Sequence, residues 1–441
     1  RKRPCRFRKM GARLEDCQIL GDAPPPDFCI GSNWQGMPLW KTTQSVYPML
    51  AAPFFSPNSM VHGRSSWICG GSPWWKGFQA SIRMKSSTIA CENGLASQTQ
   101  LKTKINSPTC MLLEPTSSDI PLISAILVAR DGWRDLDKLL EHLRKQTIQS
   151  KLELLIVADS LEKIAVPESK LRGFHSVRAL ELSPLTSVSN GHFSGAMLAQ
   201  APLTVFCEDH CFPDPGWAAA LVQAHEGPWA AVAPLMHNNN PARAVSRAVM
   251  GVEYGMFCDP SQAGVRDYLP GHNSCYKKQA LLEFSHRLDS LQDTEYLLHL
   301  EMRQEGWELF QCAEARTAHT NIALLGPALI SCFHSGRCFA ASRAGDWPFL
   351  KRIVFALGSP LLPFLRHRRH LNFLKRSKDR GKTPIFLPLH FLLFAVDALG
   401  QMLGNLVGHG SSYARLCDLE FQRYRFLPPG ETALFKVADE N

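Results

Sequence analysis

Residues 203–210 read Leu203-Thr204-Val205-Phe206-Cys207-Glu208-Asp209-His210, an apolar run that ends in two adjacent acids and a histidine. The run suits a strand buried between helix layers, and the C-terminal ends of such strands border the crevice where open α/β sheets bind ligands. Two carboxylates placed there repel each other, and burying either charge is costly. The triplet therefore invites a cation, and Mg2+ or Mn2+ bound to a diphosphate meets that requirement. A strand followed by a solvated acidic turn is the plainer reading of the pair, and the residues downstream favour the site.

Elements to hold these residues are visible from Pro121 to Ala344, where strand and helix signals alternate as in a parallel α/β domain. Ile123–Ala129 reads as a strand, Leu136, Leu139, Leu140 and Leu143 recur at helical spacing, and Leu152–Ala158 reads as a second buried strand ending in Asp159-Ser160. Strand, helix, strand and acid make half of a mononucleotide-binding fold, with Asp159 placed to meet a ribose or base edge. Taken alone, such an acid is more often a helix cap or turn residue. No GxGxxG follows the first strand, which argues against a dinucleotide enzyme. Gly381-Lys382-Thr383 lacks the upstream glycine of a P-loop.

The chain has 441 residues, 45% of them hydrophobic and 20% charged, enough for two or three domains with a sizeable core. Its net charge of +9 is concentrated at the N-terminus and between Arg366 and Lys382. The basic block has no interleaved aromatics aimed at bases, so no nucleic-acid partner is expected. Fourteen cysteines form neither a CxxC pair nor a compact disulfide pattern, and read as reduced thiols in a cytosolic compartment. Residues 1–117 lack sustained periodicity, with Pro24-Pro25-Pro26 and Trp74-Trp75 among scattered polar residues, and are expected to be irregular or disordered. Arg1-Lys2-Arg3 is not followed by an apolar stretch and cleavage site, so no secretory signal is expected.

The order Ile123 to Arg130, Leu154 to Ser160, Gly195 to His210, Pro270 to Lys278, then Asp293 to His319 resembles the inverting family 2 glycosyltransferases. The resemblance implies a GT-A-type nucleotide-diphospho-sugar transferase fold over residues 118–345, an α/β architecture with a Rossmann-like central sheet and flanking helices. It places the donor nucleoside against the loop Ala129-Arg130-Asp131 and against Asp159. The metal triplet falls on Glu208-Asp209-His210, with a histidine where the family commonly has an aspartate, so that Glu208 and Asp209 face the donor and Asp209, His210 and His319 would hold Mn2+ or Mg2+. A neutral histidine ligates Mn2+ and suits Mg2+ poorly. Flanking Cys207 and Cys211 suggest zinc, but alternation along the strand and the turn between them keep the two sulfurs from converging.

Further along, Phe212-Pro213-Asp214-Pro215-Gly216-Trp217 resembles the family's turn after the metal motif, leading into a helix through Leu221-Val222. Leu269 to Lys278 resembles its glycine-asparagine segment near the acceptor, here Gly271 and Asn273, with His272 either a site residue or a turn residue. From Asp293 to Trp307 apolar residues recur at helical spacing and Gly306 caps the helix. Counting back from Gly306 puts Glu295 where the family carries its catalytic aspartate, in the first turn, near the positive end of the helix dipole. Glu295 would then take the acceptor proton as general base, with Asp293 as the competing candidate. The implied activity is inverting sugar transfer from a nucleotide-diphosphate donor to a hydroxyl acceptor, glycan or lipid-linked, in cell-surface polysaccharide or glycolipid synthesis. The irregular triplet also suits a catalytically silent protein of this fold serving as a membrane scaffold.

Residues 346–441 carry two apolar stretches joined by a basic one. Ile353–Leu365 is too short to span a bilayer, whereas Ile385–Val407 is long enough. Its Leu, Ile, Phe and Val residues favour insertion by about 6 kcal/mol, against about 3 lost to Asp397, with His390, Gln401, Asn405 and several glycines opposing further. An interfacial or re-entrant helix pair is expected on the cytoplasmic side, with Arg366, Arg368, Arg369, Lys375, Arg376, Lys378, Arg380 and Lys382 facing anionic lipid. An amphipathic pair packed on the catalytic domain is the other possibility.

Overall fold

The computed structural model describes residues 109–115, 118–130, 132–271, 273–285, 295–376 and 387–431. The expectations for residues 1–108, Asp131, His272, Asp293, Lys378, Arg380 and Lys382 lie outside the described residues, as do the side chains of Lys375 and Arg376.

A mixed ten-stranded sheet forms the centre. Strand β1 (Thr109–Leu113) is an edge strand, so the sheet starts inside the segment expected to be irregular; five residues are too few to register as periodicity. Strand β2 (Ile123–Ala129) is followed by helix α1 (Asp137–Arg144), β3 (Leu152–Ala158), β4 (Ser176–Glu181), helix α2 (Val188–Leu198) and β5 (Leu203–Cys207). β3 and β4 lie in parallel on one side of β2 and β5 lies in parallel on the other. The order therefore reverses between β2 and β5, and their C-terminal ends make the crevice of a topological switch point. Beyond β5 come β6 (Cys211–Pro213), helix α3 (Trp217–Ala224), β7 (Ala231–Asn238), helix α4 (Ala244–Glu253), β8 (Gly264–Arg266), β9 (Cys275–Lys277), helix α5 (Glu295–Gln304) and β10 (Leu309–His319). The spatial order is β1-β4-β3-β2-β5-β9-β7-β10-β6, with β8 paired to β10 and β9 antiparallel to both neighbours.

Strands β2 and β3 are buried along their whole length, which is why they read as unbroken apolar runs. Ile123, Ala125 and Leu127 pack on one side with Leu139, Leu140 and Leu143 of α1 and Trp217 of α3. Ile126 and Val128 face the other side, with Phe193 of α2 and Leu298 and Met302 of α5. Helix α2 lies so close to β2 that a Cβ at Gly195 would run into Ile126. One charge sits inside the sheet: Glu153 of β3 is fully buried, pairs with Arg178 and accepts from the Ser124 hydroxyl and the Gln200 amide.

The C-terminal part comprises α6 (Leu325–Arg343), α7 (Phe349–Gly358), α8 (Leu362–Arg376), α9 (Leu387–Val407) and α10 (Ser412–Phe421). Helix α9 is long and apolar enough to cross a membrane by length and composition. Its polar residues His390, Asp397, Gln401 and Asn405 are nevertheless buried against neighbouring helices. Gly400 and Gly404 bring its backbone against α6, where added Cβ atoms would strike the carbonyls of Phe333 and Arg337. Arg366, expected to face lipid, turns inward instead: it pairs with Asp397 and lies 4.6 Å over the Phe394 ring. A buried carboxylate needs a cationic partner, and Arg366 supplies it to Asp397.

Candidate metal and donor site

Strand β5 ends at Cys207, and the chain turns through Glu208, Asp209 and His210 before entering β6. β6 pairs antiparallel with the end of β10, so that Cys211 lies directly opposite His319. This long-range pairing gathers Glu208, His210, Cys211 and His319, whose ligand atoms all lie within 4.8 Å of one another. All four are buried, at 5%, 2%, 1% and 0% exposure. The Glu208 Oε2 atom is 3.5 Å from His210 Nε2, 3.9 Å from His319 Nε2 and 3.1 Å from Cys211 Sγ.

The surroundings orient the two imidazoles. His210 Nδ1 lies 2.7 Å from Asp209 Oδ1, and His319 Nδ1 lies 2.8 Å from Asn321 Oδ1. An oxygen acceptor at Nδ1 holds the proton there, which turns the Nε2 lone pairs toward Glu208. Asn321 is itself fixed by Asn240, whose Oδ1 accepts from the Asn321 amide at 2.9 Å. Asp209 thus serves His210 at the rim of the cluster, and burial pushes its carboxyl up to about 7. Burial, reinforced by Glu208, pushes the Cys211 thiol up as well.

The glycine-asparagine segment joins this cluster to the expected base. Asn273 adopts a left-handed backbone, φ 66°, which asparagine tolerates better than other side chains, and its Nδ2 donates to Glu208 Oε2 at 2.9 Å and to Cys211 Sγ at 3.0 Å. Two residues earlier, Gly271 lies against the Glu295 side chain, with a would-be Cβ 2.7 Å from its carboxylate carbon. Glu295 opens α5 and is 9% exposed. His299 supports this arrangement from below: its Nδ1 accepts from the Leu269 amide at 3.4 Å and its Nε2 meets the Tyr276 hydroxyl at 2.8 Å. Gly306 has φ 88° and ends α5 as expected.

The nucleoside-side candidates sit at the C-terminal ends of β2 and β3, and none of them is among the residues that line the pocket at the switch point. Ala129 ends β2, and Asp159, just past β3, accepts from the Leu185 amide at 3.0 Å. Arg130 binds Asp418 at 3.1 Å and lies 4.4 Å over the Phe421 ring. That contact was not foreseen, because residues 412–426 fall within the stretch assigned to membrane association. The segment reaches the crevice, where Glu420 and Phe421 line a pocket with Val128, Val188, Cys207, Glu208, Asp209 and His210. Arg423 is 5% exposed, and its Nη2 meets both Glu420 oxygens at 2.7 Å. Its Nε and Nη1 make no hydrogen bond among the described residues. Burial opposes the Arg423 charge, but Glu420, Glu253 and Glu208 more than offset it and hold its pKa above the ordinary guanidinium value.

No family model matches the chain. No curated protein matches it either. Among solved structures it is similar to GalNAc-T7, crystallised with UDP, GalNAc and Mn2+, at 13% identity and a TM-score of 0.35 over 46% of this chain and 43% of that one. It is similar to S. aureus TarS at 14% identity and a TM-score of 0.37, over 68% of this chain and 55% of that one. For TarS 1-349 in complex with UDP the values are 15%, 0.36, 68% and 92%. The chain thus spans 43% and 55% of the length of the first two.

Proposed function

We propose that the chain is an inverting glycosyltransferase of the GT-A type that moves a sugar from a nucleotide-diphosphate donor to a hydroxyl acceptor. The observation that carries this reading is that Gly271 lies against Glu295 at the start of α5 while Asn273, two positions on, donates to Glu208 in the buried carboxylate-imidazole cluster at the sheet's switch point. The nucleoside would lie against Ala129, Arg130 and Asp159. Glu208, His210 and His319 fit a divalent cation by donor type and by the fixed tautomers of both imidazoles, and such an ion would neutralise the diphosphate. Arg423, a buried cation beside Glu208, would offer its Nε and Nη1 hydrogens to the same phosphates. In the transfer, the acceptor oxygen bonds to the anomeric carbon, the bond from that carbon to the diphosphate breaks, and Glu295 takes the acceptor proton.

Transfer would take place at an anionic membrane surface, on a glycan or lipid-linked acceptor. Phe349, Leu350, Val354, Leu357, Leu361 and Phe364 form an exposed row along α7 and α8, and residues 347–378 contain eight Lys or Arg and no acid. Apolar side chains in a cationic frame suit the interface of an anionic bilayer.

The narrowing of the crevice by Glu420 and Phe421, which form one wall of its pocket, favours a second reading, a catalytically silent scaffold. Screening the purified chain against nucleotide sugars with Mn2+, Mg2+ and Zn2+ separates the two. Donor hydrolysis or transfer that needs the ion supports the enzyme, and absence of both nucleotide binding and turnover overturns it.

A further inference from the structure

We propose that Cys211 completes a closed tetrahedral Zn2+ site with Glu208, His210 and His319, and that a nucleotide diphosphate reaches the ion only by displacing one of these four protein ligands. The first half stands on the cluster itself; the second rests on the transferase reading.

Donor chemistry selects the ion. A thiolate and two imidazoles suit Zn2+, whereas Mg2+ and Mn2+ favour carboxylate, carbonyl and water oxygens. Bonds of ordinary length to zinc put neighbouring ligand atoms about 3.3 to 3.5 Å apart at the corners of a tetrahedron. The three distances from Glu208 Oε2, 3.1, 3.5 and 3.9 Å, bracket that edge. Charge also balances, since the Glu208 carboxylate and a Cys211 thiolate together neutralise a dication. On coordination the Cys211 sulfur gives up its proton to solvent, and Asn273 Nδ2, already 3.0 Å from that sulfur, can donate to the thiolate.

The outer contacts match those of a built metal site. Each histidine is held through Nδ1 by an oxygen acceptor, Asp209 in one case and Asn321 in the other, which keeps Nε2 for the metal. Four protein ligands leave no open position, and a catalytic zinc keeps one open. With coordination kept at four, binding of a diphosphate oxygen releases a ligand.

Metal analysis of the purified full chain tests the first half. One zinc per chain is expected, and a chain that retains manganese in its place overturns the proposal. Replacement by Co2+ should give a thiolate-to-cobalt charge-transfer band and the intense visible bands of tetrahedral cobalt; a six-coordinate spectrum without that band overturns it. Cys211→Ser, which keeps the side-chain volume, should abolish the charge-transfer band and weaken Zn2+ binding by about 10²-fold or more. If that variant melts early, His319→Gln provides the alternative, with the thiolate band kept but shifted and Zn2+ affinity similarly reduced. An unchanged Zn2+ affinity in both variants overturns the site.

For the second half, UDP and GDP are titrated into the cobalt form. Loss of the charge-transfer band, or shifted visible bands that keep tetrahedral intensity, supports displacement; nucleotide binding with an unchanged spectrum, or with weakened five-coordinate visible bands and the charge-transfer band kept, overturns it. A zinc-loaded chain that binds neither nucleotide overturns the transferase reading and leaves the zinc site standing.

Discussion

At the end of β5 two neighbouring carboxylates take different roles because the chain turns between them. Glu208 faces the imidazoles of His210 and His319, while Asp209 reaches back to His210 Nδ1. Glu208→Gln should therefore abolish tight metal binding, whereas Asp209→Asn should weaken it by about 10- to 100-fold, the usual effect of removing an orienting partner. Calorimetric metal titration of both variants checks the order, and equal losses would count against it. At the other end of the connecting loop, Glu295→Gln should lower turnover by about 10²- to 10⁴-fold and leave donor binding nearly unchanged. Transfer rates measured beside donor titration decide this; full activity in the variant would remove Glu295 as the base. Glu208, His210, His319 and Glu295 could be picked out as candidates through the family resemblance, although that reading put Glu208 on the donor and Asp209 on the metal, whereas the structure sets Glu208 against both imidazoles. The placement of Cys211 beside Glu208 and the burial of Arg423 against Glu420 could not be picked out, since one depends on the register of β6 against β10 and the other on the return of the C-terminal segment.

The long parallel strands could be read directly, because burial on both faces leaves an unbroken apolar run. Short elements could not: β1, β6 and β8 have three to five residues each, and they exist through pairing with β4 and β10. Helix α9 gave an ambiguous signal for a related reason. Its apolar length suits a bilayer, while its glycines and polar residues suit a helix-helix contact, and the second use is the one observed against α6. Gly404→Val should force α6 and α9 apart and destabilise the fold by about 1–3 kcal/mol, as overpacking does. Thermal melting of this variant beside Leu399→Val, on the exposed face of the same helix, checks that the effect comes from the crossing and not from helix propensity.

Over the whole molecule, buried histidines and an exposed apolar row make opposite demands on the solvent. Burial pushes the pKa of His299 down to about 3 and that of His225 down to about 4, from 6.5 for an exposed imidazole. Between those values and 6.5 the unfolded chain binds more protons than the folded one. Their stabilising contribution is thus complete above pH 6.5 and is lost as pH falls toward the folded values, by up to about 1.4 kcal/mol per pH unit for each histidine. Urea midpoints measured across that range should fall with acid, and His299→Gln should flatten the slope. The exposed row predicts that the chain sediments with vesicles of phosphatidylcholine and phosphatidylserine and is only partly released by high salt, since salt screens charge and leaves apolar burial intact. Complete release, or binding unaffected by Leu350→Asp with Leu357→Asp, would show that this face does not enter lipid. The α/β alternation, the acid-acid-histidine triplet and the cationic apolar tail were all present in the linear sequence, because periodicity and residue type are local properties. Which acid joins the histidines, whether the tail's polar residues are buried against protein, and what lines the crevice were decided by tertiary pairing, because each depends on residues about 30 to more than 200 positions apart whose contact no local pattern encodes.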